Sequence, residues 1–262
     1  MCRCWREEAM YTLFITGTAG SGKSTLTGSF NEWLRDQEQS TITVNLDPAA
    51  TVLPYEPDVD VREMVDYERI MVTRRLGPNA ALIASIREVA RHIEDLREEV
   101  NSFNVDYALV DTPGQLELFA FRKEGKIIAK NLTDGSKAMV FLLDPMFCVN
   151  PKNFAASIFL SVSIYLSFGI PLIMVLSKVD AVPKKYVKRI LGWAESDEAL
   201  FVDLESKLKG AQMLLARDVA KAVFDVSSFI PIIPVSAINM SGLVELHGAL
   251  TRIFSEGELE LR

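Results

Sequence analysis

Cysteine is scarce in this sequence, and its scarcity excludes a disulfide framework. The 262 residues include three cysteines, Cys2, Cys4 and Cys148, which cannot pair evenly. Free thiols are typical of a reducing compartment, so we expect the protein in the cytoplasm. Cys2 and Cys4 form one C-x-C pair without a second pair at metal-ligand spacing, so we predict no metal site there.

An excess of basic residues is also missing. The chain has 28 Lys and Arg against 35 Asp and Glu, a formal charge of −7. A negative protein is repelled by a phosphate backbone, so we expect no direct binding of nucleic acid as the main activity. Residues 1–9 lack the apolar core of a signal peptide, and we expect a disordered extension there or a true start at Met10.

Charged side chains are absent from residues 153–177, a stretch long enough to span a bilayer. Gly169-Ile170-Pro171 interrupts the stretch, and four serines break its apolar character. We therefore predict a buried helix, a turn and a core strand, and no membrane contact. A transmembrane helix and a helix that faces a partner protein are the alternatives.

Strand-like and helical patterns alternate along the chain. Half of the residues are hydrophobic, at 49%, enough for a large core. We predict an α/β fold with a mainly parallel, doubly wound sheet, helices on both faces and an added helical insertion. Residues 10–262 should form one domain with two insertions, 47–79 and 181–228. The predicted strands are residues 11–16, 41–46, 105–110, 137–143, 170–176 and 229–235.

A phosphate-binding motif follows the first predicted strand. Residues 17–24 read GTAGSGKS, a full match to GxxxxGK[ST] between an apolar strand and a helix. In such a loop backbone N–H groups converge on phosphate, the lysine reaches the β and γ phosphates, and the serine hydroxyl binds Mg²⁺. The sequence thus predicts a P-loop NTPase whose nucleotide-binding residues include Gly17, Gly20, Ser21, Gly22, Lys23, Ser24 and Thr25.

A second element follows the third predicted strand. Asp111-Thr112-Pro113-Gly114-Gln115 has the DxxG pattern of a γ-phosphate sensor. Asp111 at the strand end can hold Mg²⁺ through water, the Gly114 N–H can meet the γ-phosphate, and Gln115 can orient an attacking water. We predict that Lys23, Asp111 and Gln115 are catalytic.

Two further elements predict guanine as the base. Ser177-Lys178-Val179-Asp180 resembles the NKxD element of GTPases, with serine in place of asparagine. The Asp180 carboxylate can accept from guanine N1–H and its exocyclic amine, a pairing that adenine cannot offer, while the Lys178 stem lies along the purine. Ser236-Ala237 follows the last predicted strand and is similar to the element whose backbone N–H meets guanine O6.

Together these motifs resemble the GPN-loop GTPase family, of the archaeal type. The family name describes Gly77-Pro78-Asn79, which here precedes a predicted helical stretch, residues 80–100, and lies between the second and third predicted strands. Asp47-Pro48 and residues 53–57, LPYEP, add to the resemblance, which covers nearly the whole chain from Met10 onward. Ala80 stands where the family often has glycine, which we expect to alter loop flexibility more than chemistry.

The resemblance implies a homodimer in which each GPN loop reaches the nucleotide site of the partner. Asn79 would then act catalytically in trans, with Gly77 and Pro78 beside the nucleotide, and Arg74 or Arg75 as the alternative. It also implies that Asp47 joins Ser24 and Asp111 around Mg²⁺.

We therefore predict a Mg²⁺-dependent enzyme that hydrolyses GTP to GDP and phosphate as a homodimeric switch. Its partner would be an unknown client protein, in the assembly of complexes. Two alternatives stay open. One is a nucleotide-gated binding factor with negligible turnover, and the other is a P-loop kinase, which has no need of Asp180 as a guanine reader.

Overall fold

A computed structural model describes residues 10–208 and 210–260 of the chain. The strands are β1 (Tyr11–Gly17), β2 (Thr41–Asn45), β3 (Val59–Asp60), β4 (Tyr107–Asp111), β5 (Lys137–Leu143), β6 (Leu172–Leu176) and β7 (Ile232–Pro234). The helices are α1 (Lys23–Asp36), α2 (Val61–Met64), α3 (Tyr67–Thr73), α4 (Pro78–Arg91), α5 (Ile93–Asn101), α6 (Leu116–Ala120), α7 (Lys123–Asn131), α8 (Pro145–Cys148), α9 (Pro151–Phe168), α10 (Lys184–Glu195), α11 (Asp197–Glu205), α12 (Ala216–Phe229) and α13 (Leu243–Glu260), with a 3₁₀ helix at Gly210–Leu215. The predicted extension at residues 1–9, with Cys2 and Cys4, lies outside the described residues.

The seven strands form one sheet in the order β3-β2-β4-β1-β5-β6-β7, and every strand pair is parallel. Strands β1, β4, β5 and β6 are buried on both faces because helices cover both faces of the sheet. One apolar cluster contains side chains of α1 and α13, and the other contains those of α4, α7, α9 and α12. The predicted doubly wound α/β fold is confirmed.

The uncharged stretch folds as a helix, a turn and a strand. Asn150 caps α9 by accepting from the Lys152 N–H at 3.1 Å, and Pro151 occupies the first helical position. Gly169 ends the helix with φ 66°, a conformation that favours glycine, and β6 follows. Within the described residues no helix is both long enough and apolar enough to cross a membrane.

The structure differs from the predicted elements in three places. Phe229 ends α12, and the last strand is confined to Ile232–Pro234, because an apolar run alone does not distinguish a helix end from a strand start. The helical stretch expected over residues 80–100 divides at His92 into α4 and α5. Strand β3 has two residues at the sheet edge, too few for a periodic pattern, and was not predicted.

Residues 181–228, the second predicted insertion, contain α10, α11, the 3₁₀ helix and all but the last residue of α12. An ion pair joins α10 to α11, where the Arg189 guanidinium donates two hydrogen bonds to Asp203 at 2.6 and 3.0 Å. The Trp193 indole donates to the same carboxylate at 2.7 Å. The Arg189 guanidinium holds the pKa of Asp203 below its usual range. Leu204 is buried against this arrangement, whereas Leu214 is exposed.

Candidate functional site

The P-loop connects the end of β1 to the first turn of α1. Gly20 and Gly22 have φ angles of 75° and 97°, a region that residues with a Cβ disfavour, so these glycines permit the turn. No side chain caps the N-terminus of α1 at Gly22. The N–H groups of the first helical turn therefore remain available to a phosphate.

Lys23 begins α1 and points back over the loop. Its Nζ donates to the Thr18 carbonyl at 3.2 Å, and the residue is buried. Burial lowers the pKa of Lys23, while Asp111 and Asp47 oppose that shift. Two carboxylates therefore favour the charged ammonium at the position where the loop turns around its ligand.

Asp111 ends β4 as a buried carboxylate beside the P-loop. Its Oδ2 accepts a hydrogen bond of 3.2 Å from the Tyr55 hydroxyl. Its Oδ1 has no hydrogen-bond partner among the described residues. Burial raises the pKa of Asp111 to about 6, and the Ser24 hydroxyl, the Lys23 charge and Tyr55 oppose the rise. A buried carboxylate oxygen without a protein partner indicates a cation or its water as the missing partner.

Asp47 connects the β2 end to the DxxG element. Its Oδ2 accepts from the Gly114 N–H at 3.1 Å, and its Oδ1 accepts from the Ala49 N–H at 3.0 Å. The Asn45 side chain accepts from the Asp47 N–H at 3.0 Å and fixes the turn. The N–H predicted to sense the γ-phosphate is thus already bound to a carboxylate oxygen.

Ser24, Asp47 and Asp111 place one hydroxyl and two carboxylates beside the P-loop. Oxygen ligands of this kind suit Mg²⁺, which usually keeps several waters and binds substrate phosphates as well. In the described part of the chain no group of three or more His, Cys, Asp or Glu side chains forms a metal cluster. The donor set therefore fits Mg²⁺ held jointly with nucleotide phosphates.

A cavity of about 220 Å³ opens between the P-loop and the ends of β6 and β7. Its lining includes Thr25, Ser177, Lys178, Asp180 and Ala237.

Asp180 is oriented by a neighbouring hydroxyl in this cavity. The buried Ser236 hydroxyl donates to Asp180 Oδ1. The Ser177 hydroxyl lies within 2.8 Å of the Ser21 carbonyl and 3.2 Å of the Leu143 carbonyl, so it bonds the P-loop backbone. The serine that replaces asparagine thus anchors the loop.

Lys178 lies across the P-loop. Its ammonium donates to the Gly20 carbonyl and pairs with Asp144 Oδ2 at 3.0 Å. A Cβ at Gly22 would lie 3.3 Å from Lys178 Cε, a close contact that glycine avoids. Lys178 itself has φ 49°, an uncommon conformation for a residue with a side chain that recurs at ligand sites.

Among the described residues, the Gly77-Pro78-Asn79 segment makes no hydrogen bond to the P-loop. Gly77 is the N-cap of α4, Pro78 opens the helix and all three residues are exposed. The Tyr67 hydroxyl donates to the Pro78 carbonyl at 3.3 Å. Within the described residues no hydrogen bond or ion pair joins Asn79 to the P-loop. Arg74 and Arg75 are also exposed.

Gln115 follows Gly114 and is half-buried at the start of α6. Three other residues with contacts in the site were given no role from the sequence, namely Asn45, Tyr55 and Asp144. Asp144 had a signal, because a carboxylate directly follows the apolar strand β5. Tyr55 belongs to the LPYEP segment that supported the family resemblance, but nothing in the sequence indicated its bond to Asp111, 56 residues along the chain. Asn45 had no signal either, because its partner Asp60 lies in an unpredicted strand.

Known proteins share this arrangement over nearly the whole chain. A family model described as "conserved hypothetical ATP binding protein" matches residues 15–256. A GPN-loop GTPase of Pyrococcus abyssi is 34% identical over 242 residues, which cover 90% of this chain and 94% of that relative. The chain belongs to the GPN-loop GTPase family. The family resemblance drawn from the motifs is thereby confirmed.

Two further comparisons define how far the GPN-loop likeness extends. The crystal structure of a GTPase in apo form from Pyrococcus abyssi matches with a TM-score of 0.83 and 31% identity, and covers 94% of this chain and 98% of that chain. GPN-loop GTPase 1 of Dictyostelium discoideum is 28% identical over 236 residues, or 89% of this chain. The match spans 59% of the Dictyostelium protein's length.

Proposed function

We propose that this GPN-loop family member hydrolyses GTP to GDP and phosphate with Mg²⁺, as a homodimeric conformational switch. The observation that carries the proposal is the convergence of Lys23, Asp47, Asp111 and the Gly114 N–H at one end of the P-loop. The Asp180 cavity opens at the other end. Phosphate chemistry and base recognition thus have separate, adjoining groups.

The phosphate end supplies charge and orientation. Lys23 and the N–H groups of the first turn of α1 stabilise negative charge on the transferred phosphate. Ser24, Asp47 and Asp111 would hold Mg²⁺ or its waters, and the ion would supply positive charge against the phosphates. Gln115 adjoins Gly114 and orients the attacking water.

The base end selects guanine. Asp180 offers a carboxylate acceptor, which suits guanine N1–H and the exocyclic amine and leaves adenine without a matching pair of donors. The family model's description mentions ATP, whereas the relatives are named GTPases. We favour GTP because Ser236 fixes the Asp180 carboxylate at the cavity.

The homodimer completes the site. Asn79 is exposed at the start of α4 and has no hydrogen bond to its own P-loop among the described residues, so a partner protomer can receive it. Its amide can donate to a phosphate oxygen and accept from water. Arg74 and Arg75 are the alternative groups in trans.

The switch consists of the segments 47–79 and 111–118. They contact each other through the Asp47 bond to Gly114 and the Tyr55 bond to Asp111. A γ-phosphate that binds the Gly114 N–H must displace Asp47, which changes the position of the first segment. We expect a cytoplasmic protein whose two states bind or release an unidentified client protein during complex assembly, without nucleic acid or membrane.

A nucleotide-gated binding factor is the second candidate, and one contact favours it. Asp144 pairs with Lys178 and also caps α8 by accepting from the Met146 N–H at 2.8 Å. Helix α8 exposes the Met146 and Phe147 side chains. Nucleotide binding that moves Lys178 can therefore move α8 and its exposed apolar side chains through Asp144, without hydrolysis.

One titration tests the proposal and separates the candidates. We expect phosphate release from GTP with Mg²⁺ to exceed release from ATP by at least about 10²-fold, because Asp180 pairs only with guanine. Release is measured over a range of protein concentrations, with EDTA as the metal-free control. A rate per protomer that rises with concentration would indicate sites completed by dimerisation. Binding of GTP without any release would replace hydrolysis by the binding-factor function.

Asn79→Ala tests whether the GPN loop acts in the transition state. We expect kcat to fall about 10- to 100-fold while the affinity for GTP changes less than threefold, because the amide would act mainly on developing charge. Single-turnover release and equilibrium binding give the two values. Ala80→Gly, the adjacent change, is the control and should leave kcat within threefold. Unchanged kcat in Asn79→Ala would remove Asn79 from the site.

A further inference from the structure

Tyr55 bonds the Asp111 carboxylate beside the P-loop. The Tyr55 hydroxyl donates to Asp111 Oδ2 at 3.2 Å. The other oxygen of the buried Asp111 carboxylate, Oδ1, is unpartnered among the described residues. The two oxygens of one carboxylate therefore have different surroundings, one bonded to a protein hydroxyl and one left for a ligand.

The Tyr55 ring packs closely against helix α1. A Cβ at Gly28 would lie 3.2 Å from Tyr55 Cβ and 3.7 Å from the ring, so glycine at this position lets the tyrosine approach the helix. Gly28 lies one turn beyond Ser24 on the same helix. The ring is thus seated on the same helix that supplies the P-loop lysine and serine.

The chain just after Tyr55 is fixed to β2. The Asp58 carboxylate accepts from the Thr43 N–H at 2.7 Å and from the Thr43 hydroxyl at 3.0 Å, while the Asp58 N–H donates to the Thr43 carbonyl at 2.9 Å. Tyr55 is therefore held between an anchored edge segment and a helix. A tyrosine held in this way can orient the carboxylate that its hydroxyl bonds.

We infer that Tyr55 is a positioning residue for the metal and phosphate end of the site, one that holds Asp111 through Oδ2 and leaves Oδ1 for Mg²⁺ or its waters. This inference rests on the proposed function. Tyr55 acts through Asp111 and does not itself touch the ion or the nucleotide. Because Tyr55 lies in the first insertion, residues 47–79, the contact couples the position of this insertion to the binding of Mg²⁺ at Asp111.

Tyr55→Phe tests the role because it removes the hydroxyl and keeps the ring. The dissociation constant of a non-hydrolysable GTP analogue is measured with Mg²⁺ and with EDTA, and the ratio of the two gives the gain from the metal. We expect that gain to fall about tenfold in Tyr55→Phe, with the EDTA value unchanged within twofold. Tyr107→Phe is the matched control: Tyr107 begins β4, at the opposite end of the strand from Asp111, with its hydroxyl 3.4 Å from His247 Nε2, and the change should leave the ratio unchanged.

A second measurement needs no nucleotide. In a double-mutant cycle of Tyr55→Phe and Asp111→Ala, the thermal midpoints should be non-additive by about 2–4 °C, because the two groups share one bond. Additive midpoints, or an unchanged metal gain in Tyr55→Phe, would overturn the positioning role. A wild-type protein without any metal gain would instead overturn the proposed Mg²⁺ dependence, and the inference with it.

Discussion

Asp180→Asn should reverse the base preference of the nucleotide site. The carboxylate offers two acceptors to guanine, whereas an amide offers one acceptor and one donor. Xanthine presents a donor and an acceptor at the corresponding edge, so it suits the amide. We expect the affinity for GTP to fall about 10²- to 10³-fold, since two charge-assisted hydrogen bonds are affected, and xanthosine triphosphate to become the preferred ligand.

Competition binding against a fluorescent nucleotide measures this reversal. Asp225→Asn makes the same change on the exposed surface of α12 and should leave the preference for GTP intact. Ser236→Ala removes the hydroxyl that orients Asp180, and we expect the same selectivity to weaken in smaller degree. If Asp180→Asn still prefers GTP to xanthosine triphosphate by tenfold or more, Asp180 is not the base reader.

Lys23→Met should abolish hydrolysis with little change in fold. Lys23 is the buried cation of the P-loop, and methionine keeps most of its apolar stem. Without the ammonium, Asp47 and Asp111 face the incoming phosphates uncompensated. We expect kcat/KM for GTP to fall about 10³-fold, the magnitude seen when one stabilising group is removed from a transition state.

Single-turnover phosphate release gives this value, and thermal denaturation checks the fold. The matched control is Lys221→Met on the exposed face of α12, which should retain wild-type turnover. A Lys23→Met protein within tenfold of wild-type turnover would exclude the P-loop lysine from catalysis.

Sequence reasoning predicted the sheet well because its strands are buried on both faces. Strands β1, β4, β5 and β6 lie at continuous apolar runs bounded by turn residues, which is the pattern of a covered parallel sheet. Edge strand β3 pairs with β2 over two residues, Val59 and Asp60, and too short a pairing leaves no periodic signal. The division of residues 80–100 at His92 is likewise invisible in an amphipathic pattern that continues across it.

The motifs of the site could be predicted because each is continuous in sequence and follows a strand end. In a parallel sheet those ends meet at one edge, which brings the P-loop, Asp111 and Asp180 together without further information. No such rule predicts which side chains of distant segments bond each other. The bonds from Tyr55 to Asp111 and from Lys178 to Asp144 depend on how loops pack.

The sequence by itself determined the covered parallel sheet, the P-loop motif and the choice of guanine as the expected base, because local patterns encode strands and glycine turns directly. Only the tertiary structure decided that Ser177 bonds the P-loop backbone, that Asp47 binds the Gly114 N–H, and that the Tyr55 hydroxyl bonds Asp111. The physical reason is that these contacts join residues separated by tens of positions, whose distances are set by side-chain packing.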